Sequence, residues 1–148
     1  MSGREAGIGL LGLAALSGLT ALGAEAAGRV DAGLRGAVYA GGLGGILLSV
    51  AGFAVVLKLA RIPAQDPAFW KWWGGGMLLR LALLGVLAAA LMVMFTGTDE
   101  LAPNGRGEHI RGTTGALLAL AVVYLAGMFS ESIWLYRRLL KNGTAGHG

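Results

Sequence analysis

The chain has 148 residues, of which 55% are hydrophobic and only 14% charged. Soluble domains carry about 25% charged residues, so this composition excludes an ordinary water-soluble enzyme or nucleic-acid-binding domain. The formal net charge is +4 and there are no cysteines, which removes disulfides, thiolate nucleophiles and Cys-based metal sites.

Four apolar stretches follow one another: Ile8–Ala27, Gly36–Ala60, Gly75–Thr96 and Thr114–Tyr136. Crossing a bilayer core takes about 20 apolar helical residues. The sequence therefore predicts an all-α membrane protein, with four transmembrane helices in an antiparallel bundle. Connections are short, so residues 1–148 form a single membrane domain. The expected location is the cell inner (cytoplasmic) membrane, with multiple passes.

Stretch one is rich in glycine and alanine. Ala14, Gly18, Ala21 and Glu25 share one helical face, and small residues let membrane helices approach closely. Glu25 is expected to reach Arg29, four residues on. Arg4, the apolar run and Ala24-Glu25-Ala26 also have the form of a cleavable signal peptide. Cleavage would leave a chain beginning at Ala27.

In stretch two, Gly41, Gly45 and Ser49 are spaced by four and Gly52 continues the stripe. This small-xxx-small face is expected to pack against another helix, within the chain or on a partner subunit. Arg35 and Tyr39 anchor one end, Lys58 and Arg61 the other. After it, Pro63 stops the helix and Asp66-Pro67 supplies an N-cap and a first helical residue. Residues 67–73 hold Phe69, Trp70, Lys71, Trp72 and Trp73. They predict a short interfacial turn in which Trp70, Trp72 and Trp73 anchor at headgroup level. Gly74, Gly75 and Gly76 then give a pliable lead into stretch three.

Stretch three contains Arg80, and stretch four contains Glu131 with Tyr124 and Gly127 on its face. Each charge lies about five residues inside the same membrane face, roughly 8 Å deep at the helical rise. Antiparallel neighbours bring them level. Pairing offsets the cost of an intramembrane charge, so Arg80 and Glu131 are expected to form an ion pair, with Lys58 a second partner for Glu131. Between them, the outer loop Gly97–Gly112 is expected to be a solvated turn. The tail 141–148 is expected to be disordered.

Orientation follows from counting basic residues. One side holds seven (Arg4, Lys58, Arg61, Lys71, Arg137, Arg138, Lys141) and the other four (Arg29, Arg35, Arg106, Arg111). The richer side faces the cytoplasm, which places both termini there.

Apparent chemical motifs do not hold up. Gly7-Ile8-Gly9-Leu10-Leu11-Gly12 spells a dinucleotide fingerprint but lacks the preceding strand it needs. Asn142-Gly143-Thr144 is a sequon on the expected cytoplasmic side. His109 with Glu108, Asp99 and Glu100 matches no metal-site spacing, so no metal and no cofactor are expected. No nucleophile lies beside a base, and no catalytic role is assigned to any residue.

One ordered set of residues remains. Gly41-xxx-Gly45-xxx-Ser49-xxx-Phe53 precedes a basic helix end, Gly76-xxx-Arg80 opens the third stretch, and Tyr124-Leu125 and Glu131-xxx-Leu135 close the fourth. Over roughly Gly36–Leu140 this resembles the ATP synthase subunit I family of small four-span accessory proteins. A polar residue common in that family between Ser49 and Phe53 is replaced by Val50-Ala51-Gly52, and the tryptophan cluster and basic tail are additions. The resemblance implies help in assembling the rotor ring of proteolipid subunits, with those subunits as partners, and a role in Mg2+ uptake. Rival readings are a rotary-ATPase proteolipid, disfavoured because Glu131 lies near one end, a small transporter or ion-conducting protein, and a structural subunit of another membrane complex.

Overall fold

A computed structural model describes residues 3–63, 65–96 and 106–144. Four helices make it up: α1 (Gly3–Gly28), α2 (Ala32–Leu59), α3 (Pro67–Thr96) and α4 (Arg106–Thr144). Within them, Gly7–Gly28, Ala32–Leu59, Pro67–Phe95 and Arg111–Arg137 are long and apolar enough to cross a membrane. The chain is an all-α, multi-pass membrane protein. Helix is the form that suits this setting, because every backbone N–H and C=O finds its partner within the same segment. Large apolar side chains point outward on all four helices, among them Leu22, Leu47, Leu79 and Phe129. Small residues and a few aliphatics fill the inside.

The helices are longer than the apolar stretches suggest. Residues 67–73 are not an interfacial turn but the first two turns of α3, which runs unbroken through Gly74, Gly75 and Gly76. Asp66 caps it, its carboxylate accepting from the Ala68 N–H at 2.8 Å, and Pro67 needs no N–H at the first helical position. A capped helix inside a bilayer has no competing hydrogen-bond partner, so three glycines do not break it. α4 begins at Arg106, so Arg106–Gly112 is helix rather than loop. Residues 141–144 also belong to α4, against the expected disordered tail, and 145–148 lie outside the described residues.

Between α1 and α2 the chain reverses within three residues. The Val30 and Asp31 N–H groups both reach the Ala27 carbonyl at 3.0 Å. Asp31 then caps α2 by accepting from Gly33 N–H. Across this hairpin Glu25 pairs with Arg35, not with Arg29.

α2 is the centre of the bundle and touches each of the other three helices. α1 and α3 both run antiparallel to it and have no backbone contact with each other among the described residues. α2 and α4 run parallel. Their seam ascends in step: Gly41 faces the Ala116 backbone, Gly45 faces Val123 and the Leu120 carbonyl, Ser49 faces Gly127, and Gly52 faces Glu131. A Cβ on Gly45 would lie 2.7 Å from Val123 Cβ, closer than side chains tolerate. The Gly41/Gly45/Ser49/Gly52 stripe is thus covered by the chain's own α4. It is buried inside the monomer and is not open to a partner. Beside the seam, Ala37, Leu48, Leu91, Ala116, Leu120 and Tyr124 form the buried core.

The face expected on α1 is also corrected. Ala14, Gly18 and Glu25 are exposed, while Leu16, Thr20 and Ala24 are buried against the bundle. Thr20 nests against Gly42 of α2.

Candidate functional site: an intramembrane ion pair

Arg80 and Glu131 meet in an ion pair, Arg80 Nη1 donating to Glu131 Oε2. The Arg80 side chain is 9% exposed and that of Glu131 15%. The pair is therefore enclosed by protein and neither charge snorkels alone to the headgroups. A carboxylate or guanidinium left single inside the bilayer is costly, by up to about 2.5–3.5 kcal/mol at the membrane centre.

Glycines make the geometry possible. Gly76 opens the α3 side: a Cβ there would sit 2.7 Å from Val55 Cγ1, so α2 and α3 come close one turn before Arg80. Gly52 opens the α2 side. A Cβ there would meet Glu131 Oε1 and lie 2.6 Å from Arg80 Cζ. One turn further along, Gly127 lets Ser49 approach α4. The ion pair thus lies over a patch of α2 that has no side chain, held level by two close helix crossings.

The other predicted residues sort as follows. Lys58 is not a partner of Glu131; its Nζ lies 3.6 Å above the Trp72 ring, a cation–π contact at the end of the bundle where α2 finishes and α3 starts. Trp70, Trp72 and Trp73 are exposed there, with Trp70 edge-on to Phe69 and to Trp73. Phe69 itself is buried at 1% exposure and wedges the start of α3 against the bundle. Ser49 and Thr20, the polar groups nearest mid-membrane, donate to carbonyls of their own helices, Gly45 and Leu16, at 2.9 Å each. Asp99 and Glu100 lie outside the described residues, as do the side chains of Glu108 and His109. Among the described residues no group of His, Cys, Asp and Glu is placed to hold a metal ion.

Three features were not foreseen. Two buried polar atoms among the described residues have no protein partner, Arg80 Nε and the Tyr124 hydroxyl. Glu131 also borders two cavities. One, of about 70 Å³, lies between α1, α2 and α4 beside Gly9, Gly12 and Phe53. The other, of about 190 Å³, lies between α2, α3 and α4 and includes Arg80. The third feature is the Glu25–Arg35 bridge. Its signal was present in the sequence: both residues stand five positions from Val30, at the centre of the hairpin turn.

The site offers a fixed charge pair, polar capacity left over on Arg80, and space on either side. The hydroxyls beside it, Ser49, Ser130 and Ser132, donate to carbonyls of their own helices. Neither a protein-family model, nor a curated protein, nor a solved structure matches this chain.

Proposed function

We propose that this chain is a non-catalytic accessory membrane protein that assists assembly of the rotor proteolipid ring of an F-type ATP synthase, as its resemblance to the subunit I family implies. In this reading it lies in the cell inner membrane with both termini cytoplasmic. The observation that carries the proposal is that the residues of this resemblance make contacts between α2, α3 and α4. They are scattered over three helices, yet several of them serve one bundle: Gly41, Gly45 and Ser49 line the seam with α4, Gly76 lets α3 close on α2, and Arg80 binds Glu131. This supports reading the scattered pattern as one architectural unit.

Two rivals fit the geometry less well. A rotor proteolipid needs a carboxylate free to exchange protons near mid-membrane, whereas Glu131 is engaged by Arg80 near one end. A transporter needs polar groups facing a midplane site, whereas Thr20 and Ser49 are turned onto their own helices. Deleting the gene tests the proposal. The amount of assembled ring should fall while the amount of ring subunit made stays constant. Normal ring assembly in the deletion strain counts against it. The Mg2+ reading is separable, since it predicts poor growth of the same strain at limiting Mg2+.

A further inference from the structure

The larger cavity, between α2, α3 and α4, has a mouth and a closed end. Its mouth lies between Trp73 on α3 and Ser132, Tyr136 and Leu139 on α4, all exposed. Exposed tryptophan and tyrosine settle at headgroup level, where the ring is half wet. The mouth therefore stands at the boundary between water and hydrocarbon. From there the cavity passes over the buried Val56 and Leu59 of α2 and reaches Arg80, Glu131 and Met128. Beyond this point the bundle is closed by the core of Leu48, Leu91, Leu120 and Tyr124, against which Met128 itself packs.

Water and an acyl chain compete for such a space, and the inner end decides between them. A guanidinium has five N–H groups. That of Arg80 is nine-tenths buried, and its Nε has no acceptor in the protein. An acyl chain offers the Arg80–Glu131 pair neither donor nor acceptor, and polar groups left unmet against hydrocarbon are costly. Water offers both. At about 190 Å³ the cavity has room for several molecules. Charged side chains inside membrane bundles face either the protein interior or a water-filled cavity. We propose that the α2–α3–α4 cavity is a water-filled inlet, leading from headgroup level to the Arg80–Glu131 pair and ending there. The inlet does not cross the bundle. It gives the pair contact with solvent from one face of the membrane and no path to the other. This inference is independent of the rotor-ring reading.

The chain has no cysteine, so single introduced cysteines report on the lining. The full chain, held in lipid nanodiscs where both faces meet solvent, is treated with a charged, membrane-impermeant methanethiosulfonate, and labelling is followed by mass spectrometry. Met128 lines the inner end of the inlet, whereas Phe129 lies at the same depth and is exposed on the lipid side. Met128→Cys should label about tenfold faster or more than Phe129→Cys, because only a hydrated thiol ionises to the reactive thiolate. Met77→Cys, which also lines the inlet, and Leu78→Cys, exposed beside it, repeat the comparison on α3. The α3 pair decides alone if Met128→Cys does not fold. Equal rates within either folded pair overturn the inlet, since an acyl chain in the cavity would shield Met128 and Met77 as the bilayer shields their neighbours.

Discussion

Gly52 leaves the space that the Glu131 carboxylate occupies: any side chain at position 52 would collide with Glu131 Oε1. The intramembrane ion pair therefore depends on a residue that contributes no functional group. Glycines along α2 should then differ sharply in what alanine does to them. At Gly41 the added methyl would meet the Ala116 backbone, which cannot swing aside. At Gly52 it would meet the ends of two side chains, which can move at the expense of their pairing. At Gly36 it would meet nothing. Gly41→Ala should lose the most stability, Gly52→Ala about 1–3 kcal/mol, and Gly36→Ala should be neutral or gain up to about 1 kcal/mol from helix propensity. Denaturant titration in detergent ranks the three. Equal effects would show that the seam is not close-packed.

Arg80→Ala and Glu131→Ala should each destabilise the fold by about 3–5 kcal/mol, because each leaves an enclosed charge without its partner. The double variant should lose less than the sum, with a coupling of about 0.5–3 kcal/mol. Strictly additive losses would mean that the pair contributes nothing as a pair.

Tyr124→Phe should leave stability unchanged or raise it by up to about 1 kcal/mol. The hydroxyl is buried without an acceptor in the protein, so its removal relieves a desolvated polar group and breaks no protein hydrogen bond. A loss of several degrees in the thermal midpoint would show that the hydroxyl has a partner outside the chain.

Orientation is open to direct measurement because the chain has no cysteine. Ala102→Cys should react with a membrane-impermeant maleimide in intact cells. Gly148→Cys should react only after permeabilisation. The opposite pattern would invert the assignment and place the Arg80–Glu131 level on the outer side.

The four spans and the level of the charge pair were legible in the sequence, for simple reasons. Apolar length counts span a bilayer, and a fixed helical rise turns the positions of Arg80 and Glu131 into depths. Which face of α1 packs inward was not legible. A helix solvated by lipid is apolar all round, so Leu16, Thr20 and Ala24 differ little in character from Ala14, Gly18 and Ala21 beside them. The start of α3 was misread because tryptophan favours the headgroup level and a run of three glycines favours a pliable chain. Here the Asp66 cap and a bilayer without competing hydrogen bonds keep them helical. Gly52 was noticed only as the tail of a stripe; its role depends on two residues from other helices, which no local pattern records.

Because α2 and α4 are parallel neighbours with α3 between them in the chain, the fold cannot be completed until the last segment is synthesised. A nascent chain that has inserted only its first three spans holds a groove of bare backbone at Gly41, Gly45 and Gly52. It also carries the Arg80 cation with no acid to meet it. Arrival of the fourth span fills the groove and neutralises the charge in a single docking event. Packing around α2 is thereby completed only at the final step, and chains truncated before Glu131 should carry an intramembrane arginine still lacking its counter-ion.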